Sequence, residues 1–142
     1  MKFPASFVSR SEEDTSKLAS DFADELKDGM VIVFNGDLGT GKTFFIRQML
    51  KKYNINTVNS PTFAIVNEYT GIKKFYHFDF YRINKISELM EIGITEYFKD
   101  NNAIVLIEWG SLFEQIIPQK RIEITLTYNQ DNSRLFNFIN YD

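Results

Sequence analysis

A short apolar run, Val31-Ile32-Val33-Phe34, leads within two residues into Gly36-Asp37-Leu38-Gly39-Thr40-Gly41-Lys42-Thr43, and this junction restricts the chain to one broad architecture. Consecutive apolar residues at strand length predict a strand covered on both faces, as in a parallel sheet sandwiched between helices. The eight residues that follow match G-x-x-x-x-G-K-[ST] without departure. Glycines allow backbone N–H groups to turn inward around phosphates, a lysine reaches the β and γ phosphates, and the Thr43 hydroxyl is a magnesium ligand. Phe44 to Lys52 reads as a helix whose N-terminus faces the same anion. Strand, loop and helix in this order predict a site for ATP or GTP with Mg²⁺.

The remaining elements extend the same α/β pattern. Ser11-Glu12-Glu13-Asp14 opens a helix with an N-cap and acids in its first turn, and Leu18, Phe22 and Leu26 recur at helical spacing up to Gly29. Ser60-Pro61-Thr62-Phe63 marks a loop, because proline forces the preceding residue out of helical geometry. Ala64 to Tyr69 and Lys74 to Phe80 predict a hairpin about Thr70-Gly71. Ser87 to Ile92 forms a short helix stopped at Gly93, with a further helical turn at Thr95 to Lys99. Ala103 to Ile107 is a second buried strand, and Ser111 to Ile117 a short helix stopped by Pro118. Arg121 to Tyr128 alternates strictly and Arg134 to Tyr141 returns antiparallel to it. The expected fold is a P-loop NTPase-like three-layer sandwich, with a mostly parallel central sheet and antiparallel C-terminal strands.

A length of 142 residues predicts one domain, residues 1–142. Zero cysteines exclude thiol catalysis and a disulfide framework. Fourteen Phe and seven Tyr predict an aromatic core. The first residues carry no apolar signal-peptide core and no run is long enough for a membrane span, so a cytoplasmic location without membrane association is expected. A net charge of −3 and a pI near 5.2 give no general attraction for a nucleic-acid backbone.

In an open α/β sheet the ligand sits at the carboxyl ends of the strands. Two acids end strands there, Asp79 and Glu108. Thr43 supplies magnesium with one neutral oxygen only, so Glu108 is the candidate second ligand, the other reading being an acid that caps the next turn. Asp79 shares a strand face with His77 and is a candidate for orienting water or magnesium. Either could contact the attacking water; the alternative for His77 is a partly buried, hydrogen-bonded imidazole. Thr62 carries a hydroxyl suited to a switch loop or to a plain turn. Trp109, the only tryptophan, is a lid on the nucleotide site, an exposed anchor for a partner, or core.

Taken together, Gly36 to Thr43, Ser60-Pro61-Thr62-Phe63, Tyr76-His77-Phe78-Asp79-Phe80-Tyr81-Arg82 and Ile107-Glu108-Trp109 resemble the TsaE (YjeE) family of small bacterial P-loop ATPases. The resemblance extends to Glu88–Ile94 and to the Asp14-Thr15 helix start. It implies an ATPase, slow alone, needed to form N6-threonylcarbamoyladenosine at position 37 of tRNA. It implies TsaB and TsaD as partners, with tRNA met only through that complex. By the same resemblance Lys42 and the backbone from Gly36 to Phe44 hold phosphates, Thr43 and Glu108 hold magnesium, and Asp79 supports hydrolysis. Thr62 acts as a switch, Trp109 lies near the nucleotide or partner, and Thr15 and Arg134 approach the base or ribose. Phe44 stands where the family more often has Thr, and the C-terminal tail is short. A small-molecule kinase is the alternative, although Arg10, Arg47, Arg82, Arg121 and Arg134 are scattered rather than clustered as a lid. A GTPase would be expected to carry an N-K-x-D motif, and none occurs.

Overall fold

Both apolar runs become central strands, side by side and parallel. The computed structural model describes residues 1–58 and 65–142. Its strands are β1 (Ala5–Ser9), β2 (Val31–Asn35), β3 (Val66–Thr70), β4 (Lys74–Asp79), β5 (Ala103–Glu108), β6 (Arg121–Tyr128) and β7 (Arg134–Tyr141), and its α-helices are α1 (Glu12–Ala23), α2 (Lys42–Leu50), α3 (Ile86–Glu91) and α4 (Ile94–Phe98). Short 3₁₀ turns cover Lys51–Tyr53, Phe80–Arg82 and Gly110–Ile116. One seven-stranded sheet runs in the order β1-β7-β6-β2-β5-β4-β3. The middle strands β6, β2, β5 and β4 are mutually parallel; β3 on one side and β7 on the other run against them, and β1 pairs antiparallel to β7. This is the expected P-loop NTPase-like sandwich, with the antiparallel C-terminal pair β6 and β7 in place.

Side-chain alternation divides the sheet into two cores. Ile32, Phe34, Ile104 and Leu106 face α1 and α2, together with Phe22, Phe45, Phe75, Phe136 and Phe138. Val31, Val33, Val105 and Ile107 face α3, α4 and the Gly110–Ile116 turn, with Phe78, Phe80, Leu89 and Ile94. The phenylalanines interlock, Phe22 edge to face with Phe138 at 5.4 Å and Phe45 tilted against Phe136 at 5.5 Å between centroids. Each such buried ring contributes roughly 1.5–3 kcal/mol of apolar transfer. Much of the aromatic excess is therefore core, although Phe7, Tyr81, Tyr128 and Tyr141 are exposed.

The sequence-based expectations differ from the structure in three places. Strand β1 was not expected, because its five residues mix Ser6 and Ser9 with apolar neighbours and its strand partner, β7, lies at the far end of the chain. Helix α1 ends at Ala23 rather than near Gly29: Glu25 and Leu26 donate to the Phe22 and Ala23 carbonyls, three residues back, tightening and closing the helix. Leu26 is nevertheless buried, so its helical spacing recorded burial rather than helix. Helix α2 begins at Lys42, inside the glycine loop, because Gly41 caps it at φ +100°.

The β3–β4 hairpin forms as expected and leans on the 3₁₀ turn Lys51–Tyr53 that follows α2. Ile72 N–H donates to the Tyr53 carbonyl at 2.8 Å, and a Cβ on Gly71 would stand 2.0 Å from that same oxygen. Gly71→Ala is expected to destabilise the fold by about 3 kcal/mol through forced backbone displacement, measured as a lower denaturant midpoint at unchanged m.

Candidate functional site

The carboxyl ends of β2, β4 and β5 converge on the start of α2, and alternation decides which side chains meet there. Ile104 and Leu106 point toward α2, so Glu108, two residues on, does too; Phe75 does likewise, followed by His77 and Asp79. Asp79 and Glu108 are direct register partners across the parallel β4–β5 pair.

The loop between β2 and α2 depends on glycine at two points. Gly36 has φ +149° and a Cβ there would approach the Leu126 carbonyl to 2.6 Å; Gly41 holds φ +100° at the helix cap. The Thr40 hydroxyl donates to the Asp37 carbonyl at 2.8 Å and closes the turn. The Lys42 ammonium reaches back into the loop and donates to the carbonyls of Gly36 at 2.5 Å and Asp37 at 2.9 Å. It also lies 4.5 Å from the centroid of the Trp109 ring. Burial pushes the Lys42 ammonium below the ordinary lysine range, and the negative charges of Glu108, Asp79 and Asp37 oppose that shift.

Glu108 is only 3% exposed. One carboxylate oxygen accepts from the Thr43 hydroxyl at 3.1 Å and the other pairs with His77 Nε2 at 2.7 Å. Trp109 follows in the left-handed region at φ +61°, a conformation costly for a residue with a side chain. Half-buried, it packs on the second core while contacting the Tyr81 ring at 5.0 Å and lying over Lys42, so it is neither wholly core nor freely exposed. Lys42, Thr43, Phe44, Asp79, Glu108 and Trp109 line one cleft of about 360 Å³, to which Leu38, Gly39 and Gly41 also contribute. A second cleft of about 440 Å³ opens on the other side of the loop, between Gly36–Thr40 and Thr125–Tyr128.

The donor chemistry suits a hard cation shared with phosphate. Thr43 and Glu108 offer adjacent oxygens, and among the described residues there is no group of three or more His, Cys, Asp or Glu able to hold a metal alone. Mg²⁺ is usually bound by one or two protein oxygens plus phosphates and waters, so this set fits it.

The family described as "Threonylcarbamoyl adenosine biosynthesis protein TsaE" matches residues 9–136. The chain belongs to the TsaE family. It is 37% identical to the tRNA threonylcarbamoyladenosine biosynthesis protein TsaE of Rickettsia bellii, over 94% of this chain and 93% of that protein. The TsaE of Bacillus subtilis is 38% identical over 89% of this chain and 79% of its own length. The crystal structure of Bacillus subtilis YdiB superimposes with a TM-score of 0.81 at 29% identity, covering all of this chain and 88% of the other. Membership in the TsaE family places the chain in the biosynthesis of threonylcarbamoyladenosine in tRNA.

The positions singled out by the TsaE resemblance do not all lie together. Thr62 is outside the described residues. Thr15 is 1% exposed, lines neither cleft, and has its hydroxyl 2.6 Å from that of Ser9. Arg134 lies beside the loop: its Cζ would be 3.8 Å from a Cβ on Gly41 and sits 5.4 Å from the Tyr128 ring, and its buried Nε has no hydrogen-bond partner among the described residues. Arg82 is exposed at the cleft edge. His77 is hydrogen-bonded as expected but fully rather than partly buried, and its bond to Glu108 was not foreseen. The signal available was its shared face with Asp79. No helix among the described residues is long and apolar enough to cross a membrane.

Asp79 accepts from Tyr81 N–H at 3.0 Å. Burial lifts its carboxyl above the ordinary range; the Tyr81 N–H opposes this, and the Glu108 charge adds to it. A carboxyl with a raised folded-state pKa penalises folding above that value, and the penalty fades as pH falls from it toward the unfolded value. Asp79→Asn keeps an acceptor for Tyr81 and loses the charge. It is expected to raise the melting temperature at neutral pH, with the gain shrinking as the buffer is acidified; an equal gain at all pH values would contradict the assignment.

Proposed function

We propose that the chain binds ATP with Mg²⁺ and hydrolyses it, slowly alone, as a cytoplasmic factor that acts on a TsaB–TsaD complex during formation of N6-threonylcarbamoyladenosine at position 37 of tRNA. The observation that carries the reading is the convergence of Lys42, Thr43 and Glu108 at the mouth of one glycine loop. The loop amides and Lys42 would hold the phosphates, and Thr43 and Glu108 would hold the cation. Magnesium, when bound, neutralises charge developing on the β and γ phosphates. Asp79 would orient the attacking water from the next strand end, and Trp109 would exclude bulk solvent over Lys42. Arg134 and Tyr128, beside the second cleft, would receive the ribose or base, giving the unpartnered guanidinium nitrogen an acceptor.

Transfer of phosphate to a metabolite is less well supported. Three arginines are engaged away from the cleft: Arg10 with Asp131, Arg47 with the Val58 carbonyl and Arg121 with Glu123. Among the described residues Arg82 is the one arginine lining the phosphate cleft, with Arg134 beside Gly41, which is poor material for a closing lid. Reconstitution provides the test. Threonylcarbamoyl-tRNA formation over many turnovers by TsaB and TsaD should require this protein and ATP, and the three should co-purify when ATP is present. Undiminished turnover without it would sink the proposal, and phosphate appearing on a metabolite faster than in water would favour the kinase.

A further inference from the structure

Glu108 closes a strand whose other five residues, Ala103 to Ile107, are apolar and buried, and it is itself almost fully buried. A carboxylate in that position is costly unless every oxygen is engaged. Thr43 engages one oxygen; His77 engages the other. Because a carboxylate only accepts, His77 Nε2 carries the proton of the 2.7 Å contact. The opposite nitrogen, Nδ1, lies 3.1 Å from the Tyr69 hydroxyl on β3, so the ring is held at both ends. A chain of contacts thus runs from the sheet edge through Tyr69, His77 and Glu108 to Thr43 at the first turn of α2.

We propose that His77 is the positioning residue of the Glu108 carboxylate: by fixing one oxygen, it turns the other toward Thr43 and presets the pair for a divalent cation. The inference rests on the nucleotide-binding reading above and deepens it. The alternative, that His77 merely fills space, does not explain its polar contacts. Its strand neighbour on the same face, Phe75, sits in the same core with no polar group at all, and an aliphatic side chain would occupy the site without needing partners. Groups that orient a metal-ligating side chain typically alter metal affinity by about 10- to 100-fold when removed.

Trp109, the sole tryptophan, supplies a local signal for the test. The full chain, saturated with a non-hydrolysable ATP analogue, is titrated with Mg²⁺ while indole fluorescence is followed. His77→Leu is expected to raise the half-saturating Mg²⁺ concentration by about 10- to 100-fold and to leave metal-free nucleotide affinity unchanged. His77→Gln can place an amide N–H near the former Nε2 and should recover most of the loss, whereas the shorter His77→Asn should not. In a Glu108→Gln background, already weakened, adding His77→Leu should change nothing further. Wild-type Mg²⁺ affinity in His77→Leu, equal behaviour of the Gln and Asn variants, or a full additional loss in the Glu108→Gln background would each overturn the inference. Should His77→Leu fail to fold, the Gln and Asn pair still decides it. A wild-type protein that binds the analogue no better with Mg²⁺ would instead overturn the magnesium-nucleotide reading itself, and this inference with it.

Discussion

Lys42→Ala is expected to abolish measurable ATP binding while leaving the protein as stable as before, or slightly more so. Lys42 is 5% exposed and the hydrogen-bond acceptors of its ammonium are two neutral carbonyls, those of Gly36 and Asp37. Burial holds its pKa below the ordinary value, so folding carries a cost for the charged form. That cost is present below the folded-state pKa and is relieved as pH rises from there toward the unfolded value, so at neutral pH the alanine variant escapes it. Phosphate oxygens would supply the anionic partners that the carbonyls do not. Two charge-assisted hydrogen bonds at about 1.5–3 kcal/mol each correspond to a loss of roughly 10²–10⁴ in affinity. Calorimetric titration and a thermal melt of the same sample check both halves. Affinity within tenfold of wild type would remove Lys42 from the binding site.

Glu108→Ala should separate binding from hydrolysis. Lys42 and the loop backbone remain, so ATP affinity should stay within a few-fold in metal-free buffer. Hydrolysis should fall by about 10²-fold or more, the scale seen when a single group stabilising developing charge is lost. The same change leaves the buried His77 without its carboxylate and should cost about 1–3 kcal/mol of stability. Glu108→Gln preserves the shape and one acceptor oxygen. It should lose hydrolysis equally and stability much less, so the pair distinguishes a folding defect from a chemical one. Wild-type turnover in Glu108→Gln would remove the residue from the mechanism.

Much of this was legible before the structure. The runs Val31–Phe34 and Ala103–Ile107 carry no polar residue on either face, which only a doubly covered strand tolerates, and the glycine loop between strand and helix admits few geometries. The positions of Asp79 and Glu108 followed because both end strands of the same direction. What was not legible depends on pairing between distant segments. Alternation gives the face of His77 but not the register that sets Asp79 beside Glu108, and so not the His77–Glu108 bond. Strand β1 is recognisable only through β7, as in the contact of Ser6 with Asn137. Arg134 has no motif of its own; it is brought to Gly41 by the antiparallel return of β7 along β6. Thr15, marked by family position, has its hydroxyl 2.6 Å from that of Ser9, a contact between segments that sequence spacing does not announce.

The central claim is that this loop takes an adenine nucleotide with magnesium. Its most direct test is isothermal titration of the full chain with ATP and GTP in Mg²⁺ buffer, with TsaB and TsaD added in a second series. The account predicts saturable heat at one site per chain for ATP, with GTP weaker, and its disappearance in Lys42→Ala. Absence of any heat from ATP in both series, or unaltered heat in Lys42→Ala, would contradict it.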